Sequence, residues 1–168
     1  MCNGTAALCG APLYQTITND MTTKKQPSAK TRGLRNCNPG NIRHNAANKW
    51  LGMRPMQTDP EFVQFIKMSY GYRALMRLLQ NYAKRGVCTV DDIIMRWAPA
   101  SENNTRAYIR TVCRLTGFAP DYRLRTDNQT DMQLMAAAIS QVENGCQADY
   151  AEVNAGWKLL MNAEKAED

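Results

Sequence analysis

Apolar side chains recur at helical spacing through the second half of the chain, and this pattern predicts a mainly α-helical fold. Between Gly71 and Gly86 they recur every three or four residues, which makes one face of a helix apolar, and Gly86 marks its end. Shorter helices are predicted after Thr89 and after Asn104, because both residues can cap a helix N-terminus. The inward-facing residues expected in these helices are Tyr72, Leu75, Leu78, Leu79, Tyr82, Val90, Ile93, Ile94, Trp97, Tyr108, Ile109, Val112 and Cys113.

Two further helices are predicted toward the C-terminus. The segment 130–133 has the pattern of a capping box and opens a helix that runs to Val142 or Glu143, where Gly145 lets the chain turn. The last helix begins near Asp149. Its apolar side chains are Val153, Trp157, Leu160 and Met161.

The stretch before these helices lacks helical periodicity and predicts a small irregular lobe. Residues 50–53 and 62–66 have the composition of short extended segments, so the lobe could carry β-structure. Residues 38–41, Asn-Pro-Gly-Asn, predict a rigid turn. Proline fixes φ, glycine admits positive φ, and asparagine can hydrogen-bond its own backbone.

The length and composition fit one packed domain. The chain has 168 residues, of which 44% are hydrophobic and 21% are charged. Residues 1–31 mix small and polar types without periodicity, which predicts a flexible leader. We therefore expect a domain over residues 32–162, mainly α with the small irregular lobe, followed by a charged tail at 163–168.

Positive charge is concentrated in the first third of the chain. The formal net charge is +6, and before Asp59 the only acidic residue is Asp20, against eight lysines and arginines. This imbalance suits a polyanionic partner, which could be nucleic acid, an acidic cell-wall polymer or a lipid surface. A nucleic-acid partner is not favoured, because no helix-turn-helix or other nucleic-acid motif accompanies the charge.

The cysteine and histidine content predicts no metal site, and no cofactor is expected. Six cysteines occur without a C-x-x-C pair, and His44 is the single histidine. This pattern favours synthesis in a reducing cytoplasm, although a disulfide involving Cys37 or Cys146 stays open. We recognise neither a signal peptide nor a membrane span. If the protein acts outside the cytoplasm, something else must deliver it.

Glu143 is the first candidate for chemistry. The apolar stripe of its helix, continued by four residues from Ile139, arrives at Glu143, so the carboxyl group should point along the buried face. Burial would raise its pKa, and a carboxyl group that stays protonated near neutral pH can serve as a general acid in glycoside cleavage. The alternative is that Glu143 turns into solvent at the helix end.

A series of ordered motifs resembles a family of phage and prophage virion proteins described as lysozyme-like structural proteins. The resemblance covers residues 32 to about 157 and implies a lysozyme-like α+β domain. The segments that carry it are residues 32–43, 50–52, 59–65, 70–74, 96–99, 102–105, 108–109 and 143–145.

A weaker resemblance concerns flagellar-type glucosaminidases and related lysozyme-like enzymes. Residues 135–145 are similar to the helix that ends in the catalytic glutamate of those enzymes, while residues 36–43 and 50–82 are similar to the turn, lobe and helix that follow it. Because the order is reversed here, the resemblance implies a circular permutation. It also implies that Glu143 lies in a cleft facing the 38–41 turn.

Hydrolysis would require a second carboxylate, and Asp59 and Glu61 are the candidates because they lie in the irregular lobe. Lytic transglycosylases, by resemblance, manage with one glutamate. Glu102 is the rival for the catalytic role. Its position in a loop before a helix also fits capping and a favourable interaction with the helix dipole.

The sequence thus favours a domain that cleaves peptidoglycan glycan strands, of muramidase, glucosaminidase or lytic transglycosylase type. The candidate substrate contacts are Asn38, Asn41, Arg43, Asn103 and Tyr108. The alternative is a non-catalytic virion protein that keeps the fold and binds glycan, DNA or a neighbouring virion protein.

Overall fold

A computed structural model describes residues 30–101 and 104–164 of the chain. The described part is mainly helical, which confirms the predicted fold class. The expected leader falls almost wholly outside these residues, as do Glu102, Asn103 and the end of the expected tail. The helices are α1 (Arg32–Arg35), α2 (Met68–Ala83), α3 (Val90–Trp97), α4 (Thr105–Thr116), α5 (Gln129–Asn144) and α6 (Tyr150–Glu164).

Local capping sets the bounds of α3 and α4 where the sequence predicted them. The hydroxyl of Thr89 accepts a hydrogen bond from the backbone N–H of Asp92 at the start of α3. The side chain of Asn104 accepts one from Ala107 at the start of α4. Gly117 ends α4 with φ of 76°, a left-handed conformation that glycine adopts without a side-chain clash.

Two predicted helix starts were wrong. Helix α5 begins at Gln129, because the side chain of Asn128 caps it by accepting from the N–H of Asp131, so Thr130 lies inside the first turn. Helix α2 begins at Met68, three residues before Gly71. Gly71 lies within α2, where the helix rests directly on Cys37 and Pro39 and leaves no space for a side chain.

The core forms where α2 packs on α6 and where α4 and α5 pack on each other. Gly156 allows the close approach of α6 to α2, because a Cβ atom at this position would lie 2.6 Å from Cβ of Tyr72. Helix α5 contributes its buried face to the same core. The largest fully buried side chains include Phe65, Tyr72, Leu75, Met76, Leu79, Ile93, Ile94, Met132, Met135, Ile139 and Leu160.

The irregular lobe is held by buried side-chain hydrogen bonds more than by strands. Isolated antiparallel pairs join Arg43 to Phe62 and Met53 to Phe65. Asn38 is fully buried and organises the turn, because its Nδ2 donates to the carbonyls of Ile42 and Val63 at 2.9 Å. Its Oδ1 accepts from the N–H of Ile42 at 2.9 Å. Asn38 therefore replaces backbone pairing that a regular sheet would supply.

The turn at residues 38–41 differs from the prediction in where positive φ occurs. Gly40 does not have positive φ, whereas Cys37 and Asn41 adopt φ of 52° and 47°. Gly40 is instead required for close packing, since a Cβ atom there would lie 2.8 Å from Cζ2 of Trp97. The glycine thus brings the turn against the end of α3.

The sequence pattern did not predict α1, which places Thr31 at its N-cap. The described cysteines Cys37, Cys88, Cys113 and Cys146 are free thiols, so the structure contains no disulfide among these residues.

Candidate functional site

Glu143 occupies the last turn of α5, and its carboxyl group accepts hydrogen bonds from three side chains. Nδ2 of Asn41 donates to Oε2 at 2.9 Å. Nε1 of Trp97 and the hydroxyl of Tyr108 both donate to Oε1, at 3.2 Å and 2.9 Å. The carboxyl group is half-buried and its orientation is fixed from two directions. Glu143 therefore has the location expected from the sequence, whereas a catalytic role stays a prediction.

Three separate elements supply these donors. Asn41 comes from the turn, Trp97 is the last residue of α3, and Tyr108 lies in the first turn of α4. They are separated from Glu143 by 102, 46 and 35 residues along the chain. Only the packing of α3, α4 and the turn around the end of α5 brings these groups together.

Tyr108 is a permanent hydrogen-bond donor to Glu143. Burial, together with the negative charge and the hydrogen bond of Glu143, raises the pKa of Tyr108 well above its usual range. A phenol in this environment keeps its proton, because burial disfavours its charged form.

Asn41 contacts Glu143 in a strained backbone conformation. Its φ of 47° is uncommon for a residue other than glycine, although asparagine tolerates it better than most. Its Oδ1 is buried and has no hydrogen-bond partner among the described residues. Strain and an unpaired buried acceptor at one residue are typical of functional positions, since folding stability alone would not retain them.

The next residue, Asn144, joins α5 to the turn. Its Nδ2 donates to the carbonyls of Pro39 and Ser140 at 2.9 Å, and its Oδ1 accepts from the hydroxyl of Thr31 at 2.7 Å. Asn144 is buried, and the two bonds that its Nδ2 donates form away from solvent. They hold the turn against the end of α5 and so fix the position of Asn41 relative to Glu143.

A cleft with a volume of about 460 Å³ opens beside Glu143. Among the described residues, Glu143 is the only carboxylate in its lining, and Arg43 and Arg96 are the only cations. The full lining is Gly40, Asn41, Ile42, Arg43, Phe62, Leu78, Tyr82, Arg96, Trp97, Ala98, Pro99 and Glu143.

Both arginines of the cleft lie over aromatic rings. The guanidinium carbon of Arg43 is 5.7 Å from the ring centre of Phe62, and that of Arg96 is 6.0 Å from the ring centre of Tyr82. Tyr82 in turn packs edge-on against Trp97, with ring centres 6.4 Å apart. Cation–π contacts restrict both arginine side chains.

Asp59 and Glu61, two of the other acidic candidates, lie in an ion-pair network outside the cleft lining. Arg32 forms a two-pronged ion pair with Asp59, with both N–O distances 2.7 Å, and it also contacts Glu61 at 2.7 Å. The hydrogen bond from Arg32 holds the pKa of Asp59 well below its usual range, and a hydrogen bond from Asn36 acts in the same direction. Asp59 further accepts from the backbone N–H groups of Glu61 and Phe62.

The other candidates from the sequence that the structure describes lie either at the cleft or in the interior. Asn41, Arg43 and Tyr108 lie at the cleft or contact Glu143, whereas Asn38 is enclosed in the lobe. Glu102 and Asn103 lie outside the described residues. The sequence pattern predicted Trp97 only as an inward-facing residue and did not reveal its hydrogen bond to Glu143. Its indole N–H was the one available signal, since a buried indole usually finds a partner.

Residues 30–101 and 104–164 contain neither a metal-binding cluster nor a membrane-spanning helix. These residues contain no cluster of three or more histidine, cysteine, aspartate or glutamate side chains that could hold a metal ion. None of their helices combines the length and apolar character that crossing a bilayer requires.

Comparison with known proteins places the chain in a family of phage proteins. It belongs to the same family as Protein P5 of Pseudoalteromonas phage PM2, to which it is 34% identical over 158 residues. The similarity covers 92% of this chain and 91% of Protein P5. No protein-family model matches the chain, so the lysozyme-like resemblance stays a prediction.

Proposed function

We propose that this phage protein binds glycan strands of peptidoglycan in the cleft and cleaves them with Glu143 as general acid. The observation that carries the proposal is the position of Glu143. Its carboxyl group is half-buried, reaches an open cleft, and is oriented by Asn41, Trp97 and Tyr108. A carboxyl group with no chemical role would more often extend into solvent at a helix end.

The dimensions and lining of the cleft suit a carbohydrate. Its volume falls in the range of small-ligand sites, about 300–1,000 Å³. The lining contains the aromatic residues Phe62, Tyr82 and Trp97, and such rings can stack against the apolar face of a sugar. Arg96 offers donors for sugar hydroxyl and carboxylate groups.

The two carboxyl oxygens of Glu143 accept different numbers of hydrogen bonds. Within the described chain, Oε1 accepts two side-chain hydrogen bonds and Oε2 accepts one. Because a carboxyl oxygen offers two acceptor positions, Oε2 retains one for a proton. A proton held there could be transferred to the glycosidic oxygen as the bond breaks.

The surroundings of Glu143 support cleavage with a single carboxylate. Asp59 is held by Arg32, Asn36 and two backbone N–H groups, which is the arrangement of a structural ion pair. Among the described residues no other carboxylate lines the cleft. In lytic transglycosylases a hydroxyl group of the sugar itself closes a ring, and no second carboxylate attacks. This reaction therefore suits the site better than one that needs a second carboxylate.

The phage family supports a second candidate, a virion component that binds glycan without cleaving it. In this role the same cleft and its two arginines would attach the protein to the cell wall, and neighbouring virion proteins would be its other partners. Association with the virion would also deliver the protein to the cell envelope under either proposal.

The test compares release of soluble fragments from purified peptidoglycan by the wild type, Glu143→Gln and Glu152→Gln. We expect the wild type and Glu152→Gln to release fragments at similar rates, and Glu143→Gln to lose at least about 100-fold, because the proton donor is removed. Circular dichroism establishes that each variant is folded. Fragments ending in an anhydro sugar identify the single-carboxylate reaction.

Sedimentation with insoluble peptidoglycan separates the two candidates. Binding without release of fragments by the wild type favours the non-catalytic virion component. Neither binding nor release would overturn both proposals. Equal release by the wild type and Glu143→Gln would remove Glu143 from the chemistry.

A further inference from the structure

A second cavity, with a volume of about 350 Å³, lies in the irregular lobe and shares no lining residue with the Glu143 cleft. The consecutive residues Arg43 and His44 line the cleft and this lobe cavity respectively. Side chains alternate in an extended segment, so neighbouring residues can face opposite sides. The lobe cavity is therefore a separate candidate binding site.

The ionisable side chains in the described lining of the lobe cavity are all basic. His44, Lys49 and Arg54 line it, and no aspartate or glutamate does so among the described residues. Such an arrangement raises the local positive potential, because no carboxylate neutralises the basic side chains. It favours an anionic ligand.

Arg54 is fixed in place before any ligand binds. Its Nε donates to the carbonyl of Phe65 at 3.0 Å, and its Nη2 donates to the carbonyl of Arg35 at 3.3 Å. These bonds hold the half-buried guanidinium without cancelling its charge, since carbonyl groups carry only partial charges. They leave Nη1 for a ligand, at little further cost in side-chain entropy.

Trp50 lies in the wall of the lobe cavity. Its Nε1 is buried and makes no hydrogen bond to any described residue. A ligand in the cavity would lie beside Trp50, so the indole N–H signal reports whether the cavity is occupied.

We propose that the lobe cavity binds a phosphate group. A phosphate has enough oxygens to accept several hydrogen bonds from the guanidinium and the ammonium at once, whereas a carboxylate has only two oxygens. Arginine recognises phosphate through its planar fork, and lysine through its compact charge. Phosphate groups occur in cell-wall polymers, lipid headgroups and nucleic acids. The proposal holds whether or not the Glu143 cleft cleaves glycan.

The experiment follows the Trp50 indole N–H signal by NMR in the full chain, with assignment from Trp50→Phe. Inorganic phosphate, glycerol phosphate, dimethyl phosphate and acetate are titrated separately at constant ionic strength. We expect a saturable shift of this signal with at least one phosphate compound and a much weaker response to acetate. Lys49→Gln should weaken phosphate binding about fivefold, because one charge-assisted hydrogen bond is lost.

Lys84→Gln is the matched control, since Lys84 is exposed at the end of α2 and does not line the lobe cavity. It should bind phosphate as the wild type does. Phosphatidylglycerol vesicles and a short oligothymidylate then distinguish a lipid source from a nucleic-acid source. A Trp50 signal that does not saturate with any phosphate compound, or that responds equally to acetate, overturns the proposal. So does an equal loss of phosphate affinity in the Lys49 and Lys84 variants.

Discussion

The hydroxyl of Tyr108 donates a hydrogen bond of 2.9 Å to Oε1 of Glu143 and so connects the first turn of α4 to the last turn of α5. The same hydroxyl lies 3.5 Å from the carbonyl of Ile139. The bond to the carboxyl group is the shorter one, and hydrogen bonds to charged groups are the stronger class. The position of the Glu143 carboxyl group therefore depends, through Tyr108, on how α4 packs against α5.

Replacement of Tyr108 by phenylalanine tests this link. The ring keeps its packing, while Oε1 keeps only the donor from Trp97, so the carboxyl group is held less firmly. We expect peptidoglycan cleavage to fall about tenfold and the free energy of unfolding to fall by about 1–2 kcal/mol. Fragment release and urea unfolding measure the two effects. Tyr150→Phe, at an exposed tyrosine, should change neither quantity.

Replacement of Asn144 by alanine tests the connection between α5 and the turn. The change removes two buried side-chain hydrogen bonds and one that is partly buried, and it leaves the carbonyl of Pro39 without this donor. We expect the free energy of unfolding to fall by about 2–4 kcal/mol. Urea unfolding gives the value, and Gln147→Ala at an exposed position is the control. A loss similar to that of the control would contradict a role for Asn144 in holding the turn.

Replacement of Gly156 by alanine tests the contact between α6 and α2. Alanine favours a helix over glycine by up to about 1 kcal/mol. At this position, however, the new Cβ would lie 2.6 Å from Cβ of Tyr72 and 2.9 Å from the carbonyl of Ser69, and such overpacking costs about 1–3 kcal/mol. We therefore expect a lower thermal midpoint. A midpoint above that of the wild type would show that the helices separate easily. Lys158→Ala, exposed on the same helix, provides the comparison.

The ion pair between Arg32 and Asp59 predicts a pH dependence of stability. The pKa of Asp59 is lowered in the folded protein, mainly by the hydrogen bond from Arg32, relative to about 3.9 in an unfolded chain. The unfolded chain therefore takes up a proton first as the pH falls. The stabilisation by Asp59 is fully present above the unfolded pKa and is lost progressively below it.

Urea unfolding of the wild type and Asp59→Asn between pH 3 and pH 7 measures this effect. We expect the wild type to be the more stable at pH 7 and its advantage to shrink toward pH 3. Glu152→Gln, on α6, should show no comparable convergence with the wild type. An advantage independent of pH would contradict the role of the Asp59 charge.

Short-range patterns predicted the helical framework well. The caps at Thr89 and Asn104 and the left-handed ends at Gly117 and Gly145 involve residues only a few positions apart, so the sequence reveals them directly. The predicted start of α5 was wrong, because the capping-box pattern at 130–133 lies inside the helix and not at its start. Asn128 caps the helix, and Thr130 does not.

The chain alone determined the mainly helical fold and the position of Glu143 at the end of an apolar helix face, because hydrophobic periodicity and capping act within a few residues. Tertiary structure decided which groups surround that carboxyl group. Asn41, Trp97 and Tyr108 are 102, 46 and 35 residues away, and their meeting depends on how helices and a turn pack. It also buried Asn38 within the lobe and placed Asp59 against Arg32, since both contacts join segments that only the folded core brings together.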